Sequence, residues 1–389
     1  MKVLFYCQYV LGMGHFFRSL EIARGLSGHD VTLVVGGQRV DMPLPDHVKL
    51  VRLPALYMDE KFTTLLSGEP GRTVDEVQER RRETLLTLLA GSRPDLFMVE
   101  LYPFGRTIFQ TELDPILEAI RAGRFGPTKS VCSLRDILVE KRDPDTYEAR
   151  VLDKLHRYFD LLLVHSDPSF LRLEETFSRA GEIKLPVYYS GFVTKAAAPG
   201  AATRLRATLG LEPAQKLVVA SAGGGRTGYP LLSAIIDSCR RLMADRRLRL
   251  EVFSGPFMDD AQFGDLTSRE GEGIRVSRFT RRLLDYMAAA DLSVSMAGYN
   301  TCMDLLVCRT PALVYPYARQ QEQPIRAEKI KPLLPMRVLG DQDLGLEALC
   351  RHVGQMLDGP HPGELTPLDL SGVEKTARFL ERWQAVGKR

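Results

Sequence analysis

Short runs of apolar and β-branched residues alternate with longer segments of helical periodicity along this chain. No other feature of the sequence restricts the fold as much. In the first half the runs are KVLFYCQ, DVTLVVG, VKLVRL, DLFMVE, KSVCSL, DLLLVHS and VYYSG. In the second half they are KLVVASA, LRLEVFSG, IRVSRF, DLSVSMAG, PALVYPY and MRVLG. Between the first two lies HFFRSLEIARGLSG, whose apolar residues recur at helical spacing before a closing glycine, and TVDEVQERRRETLLTLLAG is a second amphipathic segment. Strands separated by helices imply parallel sheets flanked by helices, so the expected fold class is α/β with doubly wound sheets.

At 389 residues the chain exceeds one typical core. The texture changes near residue 194, where TKAAAPGAATRLRATLGLEPAQ carries Ala, Pro and Gly with little periodic apolar content. That stretch reads as an interdomain linker over residues 195–214. The expected organisation is a Rossmann-like domain over 1–194, a second one over 215–365, and a closing segment over 366–389. The closing segment contains GVEKTARFLERWQAVGKR, an amphipathic helix with the chain's one tryptophan, expected to pack back toward the first domain.

Net charge is only +3, which argues against nucleic acid as a partner. The arginine-dense pieces Arg80–Arg82 and Arg240–Arg249 read as solvated helix faces, with contact to an anionic membrane surface as the other reading. The six cysteines, Cys7, Cys132, Cys239, Cys302, Cys308 and Cys350, form no CxxC pair and no Cys/His cluster. They read as free thiols in a reducing cytosol, without zinc or a disulfide framework. The opening apolar run contains Gln8 and continues into Gly-Met-Gly-His rather than a small-residue cleavage site, so it does not read as a signal peptide. No run of about 18 apolar residues suggests a membrane span. Expected localisation is cytoplasmic, with peripheral contact at the membrane's cytoplasmic face left open.

Ligands of doubly wound sheets lie beyond the carboxyl ends of the strands, so the chemistry is sought in strand-end loops. The first such loop is Gly12-Met13-Gly14-His15-Phe16-Phe17-Arg18. Phe17 occupies the third glycine's place of a dinucleotide fingerprint, and the second strand ends in Gly36-Gly37 rather than an acidic residue, so a nicotinamide cofactor is not expected. The chain has no Walker A motif and no nucleophile elbow. What remains is a histidine in the first turn of a helix, where the positive end of the helix dipole disfavours imidazolium and leaves His15 available as a base. Arg18 lies one turn further on, as an anion contact or a surface residue. Glu100, closing DLFMVE, and Asp136, in SLRDI, are the strand-end carboxylates that could orient His15. Tyr102, Arg135 and His165 are candidates to line the same pocket.

The second half carries a denser pattern. From Ser295 the chain reads SMAGYNTCMDLLVCRTPALVYPYARQQEQPIRAEK. A strand runs into Gly298-Tyr299-Asn300-Thr301, a helix carries Asp304 one turn in, and a Pro-bounded strand ends in a Gln-rich loop with Gln320 and Gln323. A helix N-terminus with backbone amides and hydroxyls suits a diphosphate, Asp304 suits paired ribose hydroxyls, and Gln323 suits a sugar hydroxyl. This segment resembles the donor-binding region of GT-B nucleotide-sugar glycosyltransferases, above all the family 28 group that includes the lipid-II-forming N-acetylglucosaminyltransferase of peptidoglycan synthesis. The features that carry the resemblance are Gly298, Thr301, Asp304, Pro311, Pro316 and Gln323-Pro-Ile-Arg326-Ala327. Upstream, Arg278-Phe279-Thr280 resembles the family loop whose backbone reads the base. VVASAGGGRTG, with Gly223, Gly224, Gly225 and Arg226, resembles its Gly-rich loop near the diphosphate. Gly191-Phe-Val-Thr-Lys195 resembles an interdomain motif in which Lys195 stands for an arginine.

The resemblance implies two Rossmann-like domains facing across a cleft, with the donor on the carboxyl-terminal side and the acceptor on the amino-terminal side. It implies a nucleotide-sugar, with uridine as the base, as donor and a hydroxyl-bearing acceptor as partner. No metal or other cofactor is expected, because helix termini and glycine amides can hold the departing diphosphate. Single displacement with His15 as base would invert the anomeric centre. The sequence departs from the family pattern where Asp304 replaces glutamate, Arg326 replaces asparagine and Cys308-Arg309 replace small residues. The triplets Asp143-Pro-Asp145 and Asp341-Gln-Asp343 read as helix-start carboxylates rather than metal ligands. Three other readings share the scaffold. They are a UDP-sugar hydrolase of the pseudaminic-acid type, suggested by the Gly-x-Gly-His-x-x-Arg opening, a UDP-sugar 2-epimerase and a non-catalytic nucleotide-sugar binder.

Overall fold

Strand β1 (Lys2–Gln8) is buried from Val3 onward, and the parallel pairing of its two neighbours organises the first sheet. The computed structural model describes residues 1–9, 14–37, 42–58, 64–138, 141–318, 321–359 and 368–386. These residues divide into two units, Met1–Val193 with the tail from Leu368, and Thr194–Pro367.

In the first unit, β1 leads to helix α1 (Gly14–Gly25), β2 (Asp30–Gly36) and β3 (Val48–Arg52). A small antiparallel hairpin of β4 (Leu56–Met58) and β5 (Leu65–Ser67) follows, then α2 (Val74–Ser92), β6 (Leu96–Glu100), α3 (Gln110–Arg121) and β7 (Lys129–Leu134). The unit's remaining elements are α4 (Pro144–Tyr158), β8 (Leu161–Val164) and β9 (Val187–Tyr189). The seven sheet strands are all parallel, in the order β3-β2-β1-β6-β7-β8-β9. Alternate residues of the strands feed two cores. Leu4, Tyr6, Phe97, Val99 and Cys132 face α2, α3 and α4. Val3, Phe5, Cys7, Met98 and Val131 face α1 and the tail. The start of α2 is fixed by a capping box, in which Thr73 Oγ1 accepts from the Glu76 amide (3.3 Å) and Glu76 accepts from the Thr73 amide (2.8 Å).

The second unit begins with α5 (Ala201–Thr208), inside the stretch that the sequence presents as a linker. Ala201 and Leu205 are buried, and Leu205 packs with Leu217, Val219, Phe253 and Ala289. Two apolar residues one turn apart suffice for a helix that tertiary packing holds. The sheet consists of β10 (Lys216–Ser221), β11 (Leu248–Phe253), β12 (Ile274–Ser277), β13 (Leu292–Ser295), β14 (Ala312–Val314) and β15 (Met336–Val338). Its helices are α6 (Tyr229–Leu242), α7 (Asp260–Ser268), α8 (Leu283–Ala289), α9 (Tyr299–Cys308), α10 (Glu322–Ile330) and α11 (Leu346–Asp358). All six strands are parallel, in the order β12-β11-β10-β13-β14-β15. Both units therefore place their first strand centrally and reverse direction beside it, as doubly wound nucleotide-binding sheets do.

The last helix, α12 (Gly372–Val386), belongs to the first unit. Leu380 is fully buried, Phe379 stacks on Tyr188 with centroids 3.8 Å apart, and Lys129 Nζ lies 4.4 Å over the Trp383 ring. The strap before it is clasped by Gly191 and Phe192. The Phe192 amide donates to Asp369 O (2.7 Å), and a Cβ on Gly191, whose φ is 81°, would lie 2.5 Å from the Asp369 carboxyl carbon.

Of the Arg80–Arg82 run, read from sequence as solvated, Arg80 and Arg82 are surface residues paired with Glu69 and Glu79. Arg81 is fully buried. Its Nε donates to Glu112 Oε2 (2.7 Å), and its Nη2 reaches Gln8 Oε1 (2.6 Å) and Tyr6 Oη (3.1 Å). Helical period explains the split, because only the middle arginine falls on the inward face with Val77 and Leu85. Removing one member of such a network strands the other charge. Arg81→Met is expected to lower unfolding free energy by about 3–5 kcal/mol in urea titration, with Arg81→Met/Glu112→Gln recovering part of that loss.

Candidate active site

Period-two alternation places Glu100, two residues beyond Met98, on the α1 face of the first sheet. Its neighbour across the ladder is Ser133. One strand further, His165 follows Val164, and its Nε2 lies 2.8 Å from Ser133 Oγ while its Nδ1 lies 2.9 Å from Ser190 Oγ. A buried polar row thus crosses the carboxyl ends of β6 to β9, and the first turn of α1 lies over its Glu100 end. His165 is fully buried, and burial pulls its pKa down to about 3, so it is a neutral member of the row. It spans two serines instead of lining a pocket.

His15 Nδ1 lies 2.7 Å from Glu100 Oε1, and Arg18 Nη2 donates to the same oxygen. Arg18 Nη2 also lies 3.4 Å from His15 Nδ1. With the carboxylate as shared acceptor, the consistent assignment has Nδ1–H donating to Glu100 and leaves the Nε2 lone pair exposed. No hydrogen bond to Nε2 occurs among the described residues, and the His15 side chain is 18% exposed. Burial is the largest cause that lowers His15, Glu100 opposes it, and the charges of Arg106 and Arg135 add to it, leaving a pKa of about 4. Burial alone would raise Glu100, but His15 and the charges of Arg18 and Arg106 hold it well below the usual carboxylate range. A carboxylate that fixes the tautomer of a neutral imidazole is the arrangement a general base requires.

Of the other acceptor-side residues, Gly14 opens α1, and Gly12 and Met13 lie outside the described residues. Asp136 is buried and Arg135 half-buried just past β7. Tyr102 does not join the cluster. Its ring belongs to the core on the opposite face, and its hydroxyl donates to Asp114 and accepts from Lys154 Nζ (2.9 Å). Arg106 was not singled out by the sequence. The turn after β6 holds two non-glycine residues in the left-handed region, Leu101 (φ 67°) and Arg106 (φ 58°), each costing about 1–3 kcal/mol. Such strain gathers at functional turns, but nothing in the local sequence announces it.

In the second unit, the direction of the sheet reverses between β10 and β13, and two helices begin beside each other there. The loop after β10 carries Gly223, Gly224, Gly225 and Arg226 into α6, and Gly298 is the N-cap of α9. The loops touch. Thr227 Oγ1 lies 3.7 Å from Met296 Sδ, and a Cβ on Gly228 would lie 3.5 Å from the same sulfur. Gly225 has φ 97°, and its Cβ would lie 2.5 Å from Ser254 O, so only glycine fits. The first bond of the α9 ladder runs from the Cys302 amide to Gly298 O (3.0 Å), so the amides of residues 299–301 sit at the positive helix end, ahead of that ladder. A Cβ on Gly298 would meet nothing nearer than Thr301 Oγ1 at 4.0 Å, so the approach is open.

Asp304 is half-buried on the second turn of α9. Tyr299 is buried, with the Arg326 guanidinium 5.7 Å from its ring centroid. Arg326, fully buried, donates to Ala297 O (3.0 Å) and so props the loop ahead of α9. Gln323 Oε1 accepts from the Tyr317 amide (3.0 Å), which ties it to the end of β14. Phe279 is exposed beyond β12, and Thr280 Oγ1 accepts from the Arg282 amide (3.1 Å). Arg226 and Lys195 are exposed, and Gln320 lies outside the described residues. Asp143 is the N-cap of α4, and Asp343 accepts from the Gly340 amide (2.9 Å) and pairs with His352. Among the described residues no group of three His, Cys, Asp or Glu is placed to hold a metal ion, and no helix is long and apolar enough to cross a membrane.

The two parallel sheets define a GT-B fold of two Rossmann-like domains, the scaffold of nucleotide-sugar glycosyltransferases. Residues 219–365 match the profile of the glycosyltransferase family 28 C-terminal domain. The UDP-N-acetylglucosamine–N-acetylmuramyl-(pentapeptide) pyrophosphoryl-undecaprenol N-acetylglucosamine transferase of Anaeromyxobacter sp. (strain K) is 28% identical over 151 residues. That alignment covers 36% of this chain and 38% of the relative, so the chain spans about two fifths of the relative's length. An uncharacterised glycosyltransferase of Methanosarcina acetivorans is 21% identical over 342 residues, covering 82% of this chain and 81% of its own. Among solved structures, the glycotransferase of kitacinnamycin superposes with a TM-score of 0.57 over 100% of this chain and 98% of its own, at 17% identity.

The electrostatics of the first unit have a direct readout. His15, assigned with a His15→Gln variant in histidine NMR, is expected to titrate near pH 4 instead of near 6.5. Because the unfolded chain binds the proton more readily, this group's contribution to stability is present above about pH 6.5 and is lost as pH falls through about 4. A midpoint at or above 6 would contradict the buried neutral assignment.

Proposed function

We propose that the protein is a glycosyltransferase that moves a sugar from a nucleoside diphosphate sugar, with uridine as the base, to an acceptor hydroxyl. The transfer proceeds by inversion and without a metal. The observation that carries the catalytic half is the 2.7 Å contact of His15 Nδ1 with Glu100, which leaves Nε2 unengaged on a neutral ring. The donor half is supported by the family 28 C-terminal match over residues 219–365 and by the paired helix starts at Gly228 and Gly298.

In the proposed step the acceptor oxygen attacks the anomeric carbon as the bond from that carbon to the diphosphate oxygen breaks. The hydroxyl proton passes to His15 Nε2, and the electron pair leaves with the nucleoside diphosphate. Glu100 keeps Nδ1 protonated and stabilises the imidazolium that forms. Backbone amides at the starts of α6 and α9 offset the charge of the departing diphosphate, and Arg226 and Lys195 are assigned to add positive charge. Asp304 is assigned to the ribose hydroxyls and Phe279-Thr280 to the base. Peripheral attachment to the cytoplasmic face of a membrane is part of the same reading, carried by the resemblance to the undecaprenol-linked transferase.

Release of UDP from UDP-sugars is the direct assay. Transfer predicts slow release that accelerates when a competent hydroxyl acceptor is added. Fast stoichiometric release of free sugar without any acceptor would replace transfer by hydrolysis, and formation of an epimer would replace it by isomerisation. His15→Ala is expected to lower turnover by about 10²–10⁴-fold while changing UDP affinity less than threefold. A variant with unchanged turnover would remove His15 from the chemistry.

A further inference from the structure

Helix α10 reaches back to the ends of two neighbouring strands. Gln323 Oε1 accepts from the Tyr317 amide past β14 (3.0 Å), and one turn on, Arg326 Nη1 donates to Ala297 O past β13 (3.0 Å). Arg326 and Ala297 are both fully buried, so this carbonyl is turned into the protein. The same guanidinium lies 5.7 Å from the ring centroid of Tyr299, the first residue of α9. A trans peptide carries its C=O and N–H in opposite directions. With Ala297 O drawn inward, the Gly298 N–H of that peptide points away from the guanidinium. It donates to no protein acceptor among the described residues. Gly298 is also the half-buried, open side of the peptide, where an added Cβ would meet nothing nearer than 4.0 Å. Hydrogen bonds in series polarise one another, so a carbonyl that accepts from a cation leaves its own N–H a stronger donor.

We propose that Arg326 is a positioning residue for the diphosphate of the donor. Through Ala297 O it aims the Gly298 N–H, one residue ahead of the amides that start α9, at a phosphate oxygen and strengthens that bond. This deepens the reading of the α9 start as a diphosphate site and rests on it. Arg326 acts through the peptide, from behind the loop, and not on the ligand. The consequence is selectivity, because the outward amide serves a nucleoside diphosphate and offers nothing to a free nucleoside. The competing role is structural, with Arg326 stapling α10 to α9 through Ala297 and Tyr299.

NMR of the intact protein separates the two roles. Carbonyl-13C alanine combined with 15N-glycine selects the Ala–Gly peptides alone, at Gly91, Gly123, Gly181, Gly223 and Gly298. Ala297→Ser deletes the Gly298 signal and so assigns it. In the wild type, UDP is expected to move the Gly298 amide proton downfield saturably, whereas uridine leaves it in place. Arg326→Met is expected to weaken UDP binding about tenfold or more and uridine binding by less than about twofold. Arg326→Lys, which keeps a charged donor, is expected to fall between Arg326→Met and the wild type. A staple predicts equal weakening of UDP and uridine, because Asp304, assigned to the ribose, lies on the same helix. Equal weakening overturns the proposal, and so does UDP binding that Arg326→Met leaves within about twofold of wild type. If Arg326→Met fails to fold, Arg326→Lys and the wild-type titration decide. UDP that binds and shifts Gly223 but not Gly298 overturns the proposal and leaves the donor site standing. UDP that binds no better than uridine and shifts neither glycine sinks the diphosphate site and the proposal together.

Discussion

Parallel pairing of β1 with both β2 and β6, and of β10 with both β11 and β13, is the constraint from which the rest of the structure follows. A parallel neighbour can be reached only by a crossover over the sheet, and crossovers are right-handed, so strands added on opposite sides of a central strand send their helices to opposite faces. Where the direction reverses, adjacent loops leave the sheet on different sides and open a gap at the carboxyl ends. His15 and Glu100 lie beside that reversal in the first unit, and the glycine loops of α6 and α9 lie beside it in the second.

The two gaps are furnished by opposite strategies. In the second unit the useful groups belong to the backbone, and side chains are excluded by contact. Gly225 and Gly255 approach so closely that a Cβ on either would lie 2.5 Å from a backbone atom of the facing loop. Backbone amides at two helix starts supply partial positive charge without side-chain entropy, which suits a ligand with a diphosphate. In the first unit the useful groups are ionisable side chains on a buried polar row, where each charge shifts its neighbours. Burial and two arginines disfavour imidazolium, while Glu100 fixes the ring's orientation.

Every strand of both sheets was legible in the sequence, because strands buried in a parallel sheet leave continuous apolar runs. The α2 and α12 helices were legible through their periodicity, whereas the Thr73–Glu76 box that starts α2 emerged only from the structure. The hairpin of β4 and β5 was not, since three-residue strands carry too little pattern to rise above a loop. Helix α5 was hidden by alanine and glycine, and only the packing of Leu205 reveals why it forms. For the site, Glu100 could be found from its place at a strand end. The burial of Arg81 was masked by the arginines on either side of it. The importance of Arg106 depends on a left-handed turn that no residue type betrays, and the engagement of Tyr102 with Asp114 and Lys154 depends on which face its ring joins.

The account stands on the claim that the second unit's strand-end loops hold the nucleotide while the His15 turn serves the other substrate. Amide hydrogen exchange measured with and without UDP addresses it most directly. Slowed exchange confined to residues 222–228 and 297–304, with residues 14–18 and 100–106 unchanged, is the predicted result. Protection appearing at the His15 turn while the glycine loops remain unaffected would contradict it.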